Sequence, residues 1–185
     1  MKILKLLVLF SFVVVPAFGQ TARNADEIMK EAYARAKKEN KNIFVKFSAS
    51  WCGWCHKMDD SMKDPQCEKF FDDNFVIVRL IVDESKDKKA LENPGADEIR
   101  IKYNGDKNEG IPFWFIVDSG GKLLGDCYIR KAGEPLTVKG KNSGCPANEE
   151  EVANFIAVLK QTTKLRPAQL TIISERFRKN DIKRG

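Results

Sequence analysis

The sequence predicts an α/β domain in which a central mixed β-sheet is flanked by helices, with one extra helix at the C-terminal end. Apolar runs rich in β-branched and aromatic residues recur at 43–48, 75–83 and 113–118, each too short for a helix. Stretches with helical periodicity separate them. The resulting order is a leading helix followed by β, α, β, α, β, β, α, which fits a sheet covered on both faces.

Asn24-Ala25-Asp26-Glu27 reads as a helix cap with an acidic residue at the third position. Positions 25, 28, 29, 32, 33 and 36 then fall on one helical face. After strand 43–48, a helix starting near Gly53 is expected to break or kink at Pro65. Strand 75–83 is a continuous run of Phe, Val, Ile and Leu, the pattern of a strand covered on both faces. Pro94-Gly95 opens a shorter helix that runs to about Tyr103. Strand 113–118, the turn Ser119-Gly120-Gly121 and segment 122–130 form a hairpin. Asn148-Glu149-Glu150-Glu151 caps a last core helix that turns Val152, Phe155, Ile156 and Leu159 inward. Residues 167–179 read as the extra helix, and Met58, Met62, Phe70 and Phe71 as core.

Chemistry concentrates where the first strand gives way to a helix, at Trp51-Cys52-Gly53-Trp54-Cys55-His56. A thiol at a helix start faces unpaired backbone N–H groups and the positive end of the helix dipole, which favour thiolate over thiol. Thiolates attack disulfides. The spacing lets the second thiol reach back and resolve the mixed disulfide formed with a partner. Three other readings stay open. Cys52-Gly53-Trp54-Cys55-His56 also fits the attachment pattern of c-type haem. Zinc needs four convergent ligands, and His56 is the only histidine in the chain. A static disulfide at a helix start is the third.

About sixty residues on, Gly110-Ile111-Pro112 opens an apolar strand, and proline is tolerated in strands chiefly at their first residue or at an edge. With the Cys-x-x-Cys before it, this resembles the thioredoxin superfamily over residues 24–162. Met58, the pair Asp59-Asp60 and Asp64-Pro65-Gln66 resemble exported members related to the periplasmic domain of thiol:disulfide interchange proteins. The resemblance implies a thioredoxin fold and a cis bond at Ile111-Pro112. It implies Cys52 as nucleophile, Cys55 as resolving thiol, and a substrate groove shaped by Trp51, Gly53, Trp54, Ile111 and Pro112. Partners would be protein thiols or disulfides and a redox partner that recharges the site, with no metal or organic cofactor. The chain departs from the family at two places. Lys46 stands six residues before Cys52, where thioredoxins carry a buried aspartate, and Trp54 replaces a common proline. Lys46 is therefore a candidate modulator of thiol pKa; the plainer reading is a stem along the strand with its head in water.

Residues 1–19 have lysines at 2 and 5, an apolar stretch from Leu6 to Phe18 and small residues at 17 and 19, which reads as a signal peptide. The expected organisation is this leader, a thioredoxin-like domain over 20–163, and a basic helical extension over 164–185. Export to a periplasm or the exterior follows. The formal charge of +6 is confined to the ends: residues 20–159 hold 22 basic against 24 acidic side chains. The basic tail can touch anionic lipid or an acidic partner, and a solvated face is the plainer reading. Nothing resembles a nucleic-acid module. The long segment 125–146 is flanked by Cys127 and Cys145, expected to pair in an oxidising compartment and to stabilise by about 3 kcal/mol. Cys67, beside Phe70 and Phe71, is expected to be a buried inert thiol. The function read from these residues is thiol:disulfide exchange with protein substrates. The alternative is a non-catalytic binding or chaperone module of the same fold with a structural disulfide.

Overall fold

A computed structural model describes residues 22–181; the expected signal peptide at 1–19 lies outside them. Helix α1 (Ala25–Glu39) begins as its cap predicts, with the Asn24 side chain accepting the Asp26 N–H at 2.8 Å. Strand β1 (Asn42–Ser48) leads into α2 (Gly53–Met62). Pro65 falls in the turn before α3 (Glu68–Asn74), so the helical run is split there. Strand β2 (Phe75–Ile81), α4 (Ala96–Lys102) and β3 (Phe113–Val117) follow. Then come β4 (Leu123–Asp126), β5 (Tyr128–Ile129), β6 (Lys141–Asn142), α5 (Glu149–Thr162) and α6 (Pro167–Arg178). A 3-10 turn spans Lys86–Leu91.

The main sheet has the order β2-β1-β3-β4, with β1 parallel to β2 and antiparallel to β3. One face carries an aromatic cluster in which Phe44 meets Phe75, Trp114 and Phe155. On the other face Phe47 meets Phe113 and Phe115, and Tyr103 of α4 stacks on Phe115. The expectation that 75–83 is covered on both sides needs correction. Strand β2 lies at the sheet edge, and on the face it shares with Phe75 it leaves Ile77 and Arg79 exposed.

The hairpin expected through residue 130 is interrupted. Strand β4 stops at Asp126, and the chain turns into a separate β5–β6 ribbon. Gly140 is required by that ribbon's closeness, because a Cβ there would collide with the Ile129 carbonyl oxygen. Cys127 and Cys145 do not form the expected disulfide; both are buried free thiols. The Cys127 N–H donates to Trp114 O and its carbonyl accepts the Ser143 N–H, each at 3.0 Å, which keeps it in the sheet layer. The Cys145 sulfur instead accepts from Asn180 Nδ2 at 3.6 Å, beyond the end of α6. The loop between β5 and β6 is pinned by Arg130, which forks onto Asp126 at 2.7 Å through both terminal nitrogens and donates to Leu136 O at 3.0 Å. That polar clamp does the tethering expected of the disulfide.

The extra helix is part of the core. Leu170, Ile173 and Phe177 are buried on α6, and Phe177 meets Phe155 at 4.8 Å and Phe71 at 6.3 Å between ring centroids. Two of its basic side chains work inside the fold: Arg176 Nε donates to Asp64 at 2.7 Å and Arg178 Nη1 to the Ala147 carbonyl at 2.8 Å. Truncation of a fully buried phenylalanine leaves a cavity. Phe177→Ala should therefore cost about 3 kcal/mol in urea unfolding, whereas a loosely appended helix would lose under about 1 kcal/mol.

Candidate active site

Strand β1 ends at Ser48, and the chain makes a tight turn in which the Cys52 N–H donates to Ala49 O at 3.1 Å. Cys52 is the N-cap of α2, with extended backbone angles, and its sulfur accepts the Cys55 N–H at 3.2 Å. This is the helix-start position in which backbone donors favour a sulfur anion. Cys52 and Cys55 are joined by a disulfide. Cys55 lies fully beneath the surface, its sulfur 4.0 Å from Phe47 O. The Cys52 sulfur lies 3.7 Å from the carbonyl oxygen of Ile111.

The Ile111–Pro112 peptide is cis. Two hydrogen bonds strap this segment to β6 and the connection that follows it. Asn142 Nδ2 donates to Gly110 O at 2.7 Å, and the Trp114 indole N–H donates to Gly144 O at 2.9 Å. Between them opens a groove of about 580 Å³ lined by Trp54, Ile111, Pro112, Ser143, Cys145 and Asn148. Trp51 and Trp54 flank the disulfide with 59% and 38% of their surface exposed. Lys57 sits over the Trp54 ring at 4.4 Å. Gly53 opens α2 with free space where a side chain would be.

Lys46 does not reach water. It is buried under α2 and donates to Asp59 Oδ1, with Arg79 Nη1 3.8 Å from the other oxygen. Asp59 lies one helical turn after Cys55, so the helix that carries the cysteines also covers the lysine and supplies its counter-ion. Burial pulls the Lys46 pKa down, and the Asp59 carboxylate opposes that pull. Among residues that the sequence reading passed over, Glu84 is 4% exposed and accepts from Ser50, two residues before Cys52. An acidic pair, Asp83-Glu84, directly after an apolar strand was the available signal. Burial pushes the other thiols up, Cys67 to about 11 and Cys145 to about 12, and Cys127 well above its ordinary value. Among the described residues no group of three or more His, Cys, Asp or Glu is placed to hold a metal ion. No helix among them is long and apolar enough to cross a membrane.

A family model described as thioredoxin-like matches residues 25–119. The chain belongs to the thioredoxin-like family. Its matches include spermatogenesis-associated protein 20 of Mus musculus, 37% identical over 59 residues, which are 31% of this chain and 8% of that protein. An uncharacterized protein, B0495.5 of Caenorhabditis elegans, is 37% identical over 63 residues, 34% of this chain and 9% of the relative. This thioredoxin-like chain therefore spans under a tenth of the length of those relatives. Similar solved structures include a disulphide isomerase from Xylella fastidiosa Temecula1, with 22% identity, 61% of this chain and 79% of that one covered, and a TM-score of 0.47. A DsbH oxidoreductase covers 86% of this chain and 96% of its own at 21% identity, with a TM-score of 0.44. The Cys52–Cys55 disulfide lies within the stretch that the thioredoxin-like family model matches.

Two outcomes follow for this thioredoxin-like protein. Lys46→Met leaves Asp59 with only the longer Arg79 contact and should lower stability by about 2 kcal/mol. Adding Asp59→Leu should recover most of that loss, because no charge is then left unpaired against apolar neighbours; urea unfolding of the single and double variants measures it. The raised thiols set a pH dependence. A thiol held neutral in the fold contributes stability below its unfolded pKa, near 9, and loses it as pH rises through about 11 for Cys67 and about 12 for Cys145. Tyr33 and Tyr128 are shifted upward by burial and act in the same direction. The urea midpoint should fall steadily above pH 9, and a flat profile to pH 11 would contradict the burial argument.

Proposed function

We propose that this protein is exported and exchanges dithiol for disulfide with protein substrates, Cys52 attacking and Cys55 resolving. The observation that carries the assignment is the position of the Cys52 sulfur. It accepts a helix N–H while lying against the carbonyl of Ile111, a residue of the groove wall, and Cys55 is fully buried behind it. In the reduced protein the Cys52 thiolate attacks one sulfur of a substrate disulfide, and the other substrate sulfur leaves and takes a proton. The Cys55 thiolate then attacks the Cys52 sulfur, releasing the second substrate thiol and forming the 52–55 disulfide. Two electrons pass to the substrate, and a redox partner's dithiol must return them. Trp51, Gly53, Trp54, Ile111 and Pro112 shape the face on which the substrate chain lies, and the Ile111 backbone pairs with it. Export rests on the sequence pattern of residues 1–19.

Insulin reduction by the full chain tests this reading. Cys52→Ser should fall to the rate of the thiol reductant alone. Cys55→Ala should accumulate mixed disulfides through Cys52, visible on non-reducing gels. Wild-type protein with no activity over background, together with no adducts from Cys55→Ala, would make the disulfide a static staple.

A further inference from the structure

The turn that delivers Cys52 is held from a corner at the end of β2. Asp83 adopts a left-handed backbone conformation with φ 55°, uncommon for a residue other than glycine. Arg100, fully buried on α4, stabilises that corner by forking onto the Asp83 carboxylate at 2.8 and 3.3 Å and reaching Asp97 at 2.7 Å. The Asp83 carbonyl accepts the Trp51 indole N–H at 2.8 Å. The next side chain, Glu84, is buried, and its two carboxylate oxygens take both donors of Ser50: the backbone N–H at 2.6 Å and the hydroxyl at 2.8 Å.

Ser50 is enclosed from other elements as well. The His56 ring nitrogen Nε2 donates to the Ser50 carbonyl at 3.0 Å from the first turn of α2, and Lys88 Nζ lies 3.4 Å from the Ser50 hydroxyl. Glu92 accepts the Glu84 N–H at 2.7 Å, which fixes the corner's own backbone. Hydrogen bonds to an ionised acceptor are roughly twice as strong as neutral ones, and a buried carboxylate is costly unless its oxygens are satisfied. Glu84 meets that cost by bonding Ser50, which with Ala49 links β1 to the Trp51-Cys52 turn.

We propose that Glu84 is a positioning residue for exchange at Cys52. By holding both Ser50 donors it fixes the Ser50–Trp51–Cys52 turn, so that the Cys52 sulfur stays aligned with the Cys55 N–H. This rests on Cys52 being the attacking thiol. Its effect is on thiolate formation at that sulfur, and loosening the turn makes the thiolate harder to form. A glutamine at 84 keeps a bond to each Ser50 group, its carbonyl accepting the N–H and its amide donating to the rotated hydroxyl, so it retains the positioning with weaker bonds.

The test is the rate of iodoacetamide alkylation of the reduced full-length protein at a pH about one unit below the parent's own Cys52 labelling midpoint, where the rate changes about tenfold per pKa unit, with the label located by peptide mapping and folding checked by thermal melting. Glu84→Ala should slow labelling of Cys52 about tenfold, equivalent to a thiol pKa one unit higher. Glu84→Gln should stay within about threefold of the parent. An unchanged Cys52 rate in a folded Glu84→Ala protein overturns the inference, as does a Glu84→Gln protein as slow as Glu84→Ala. Should Glu84→Ala fail to fold, Ser50→Ala decides: it removes one of the two donors, and about threefold slowing supports the proposal while an unchanged rate refutes it. Labelling of Cys55 in place of Cys52 in the parent protein is a separate outcome, which refutes the nucleophile assignment and the inference together.

Discussion

Strand β1 is buried from Ile43 to Ser48 and paired along both edges, and the site takes its geometry from that pairing. Buried backbone groups must find partners, and β1 finds them in β2 on one side and β3 on the other. The register sets Lys46 opposite Arg79 and Trp114, and Phe47 opposite Leu80 and Phe113. The ends of three strands are thereby brought level. Just past them lie the Cys52 turn, the Asp83–Glu84 corner and Pro112, residues far apart in the chain. The Val82 N–H donating to Ser48 O at 2.9 Å extends this pairing to the edge of the turn. A one-residue slip would move every side chain to the opposite face and separate the three segments.

The same constraint explains the ion pair beneath the cysteines. Lys46 and Phe44 share a face of β1, and α2 and α5 cover that face, so position 46 has no route to water. A charge placed there needs a counter-ion within the covering helix. Asp59 supplies it at the turn after Cys55, with Arg79 from the neighbouring strand closing the arrangement. Burial and Asp59 act on the lysine in opposite directions, and burial is the larger.

Much of this architecture was legible because it depends on local rules. The strands at 43–48 and 113–118 announce themselves by composition, Pro65 and Pro94 punctuate the helices, and Asn148 with Glu151 forms the expected capping box. The edge position of β2 was not legible, since an apolar run says little about how many neighbours a strand has. The burial of Lys46 was hidden for a related reason: its counter-ion is thirteen residues away on an element whose packing the strand itself does not encode. The pairing of Cys127 with Cys145 failed as an expectation because loop ends close in sequence need not face one another. Sheet hydrogen bonds hold Cys127, while Cys145 turns toward Asn180. Glu84 was missed because its partner Ser50 lies across the β1–β2 pairing.

Five cysteines in one small fold raise the question of how the proposed exchange is confined to one pair. Burial answers it without a second disulfide. A thiol with a pKa near 11, as at Cys67, is ionised in only about one molecule in ten thousand at pH 7, and Cys145 is ionised about tenfold less. Thiolate is the attacking species, so these sulfurs are silent at neutral pH even though Cys145 borders the groove. Cys52 alone combines a helix N–H donor with a place beside the carbonyl of Ile111, a residue that lines the groove. Selectivity among chemically identical groups therefore comes from the local dielectric and from backbone donors, both consequences of where β1 ends and α2 begins.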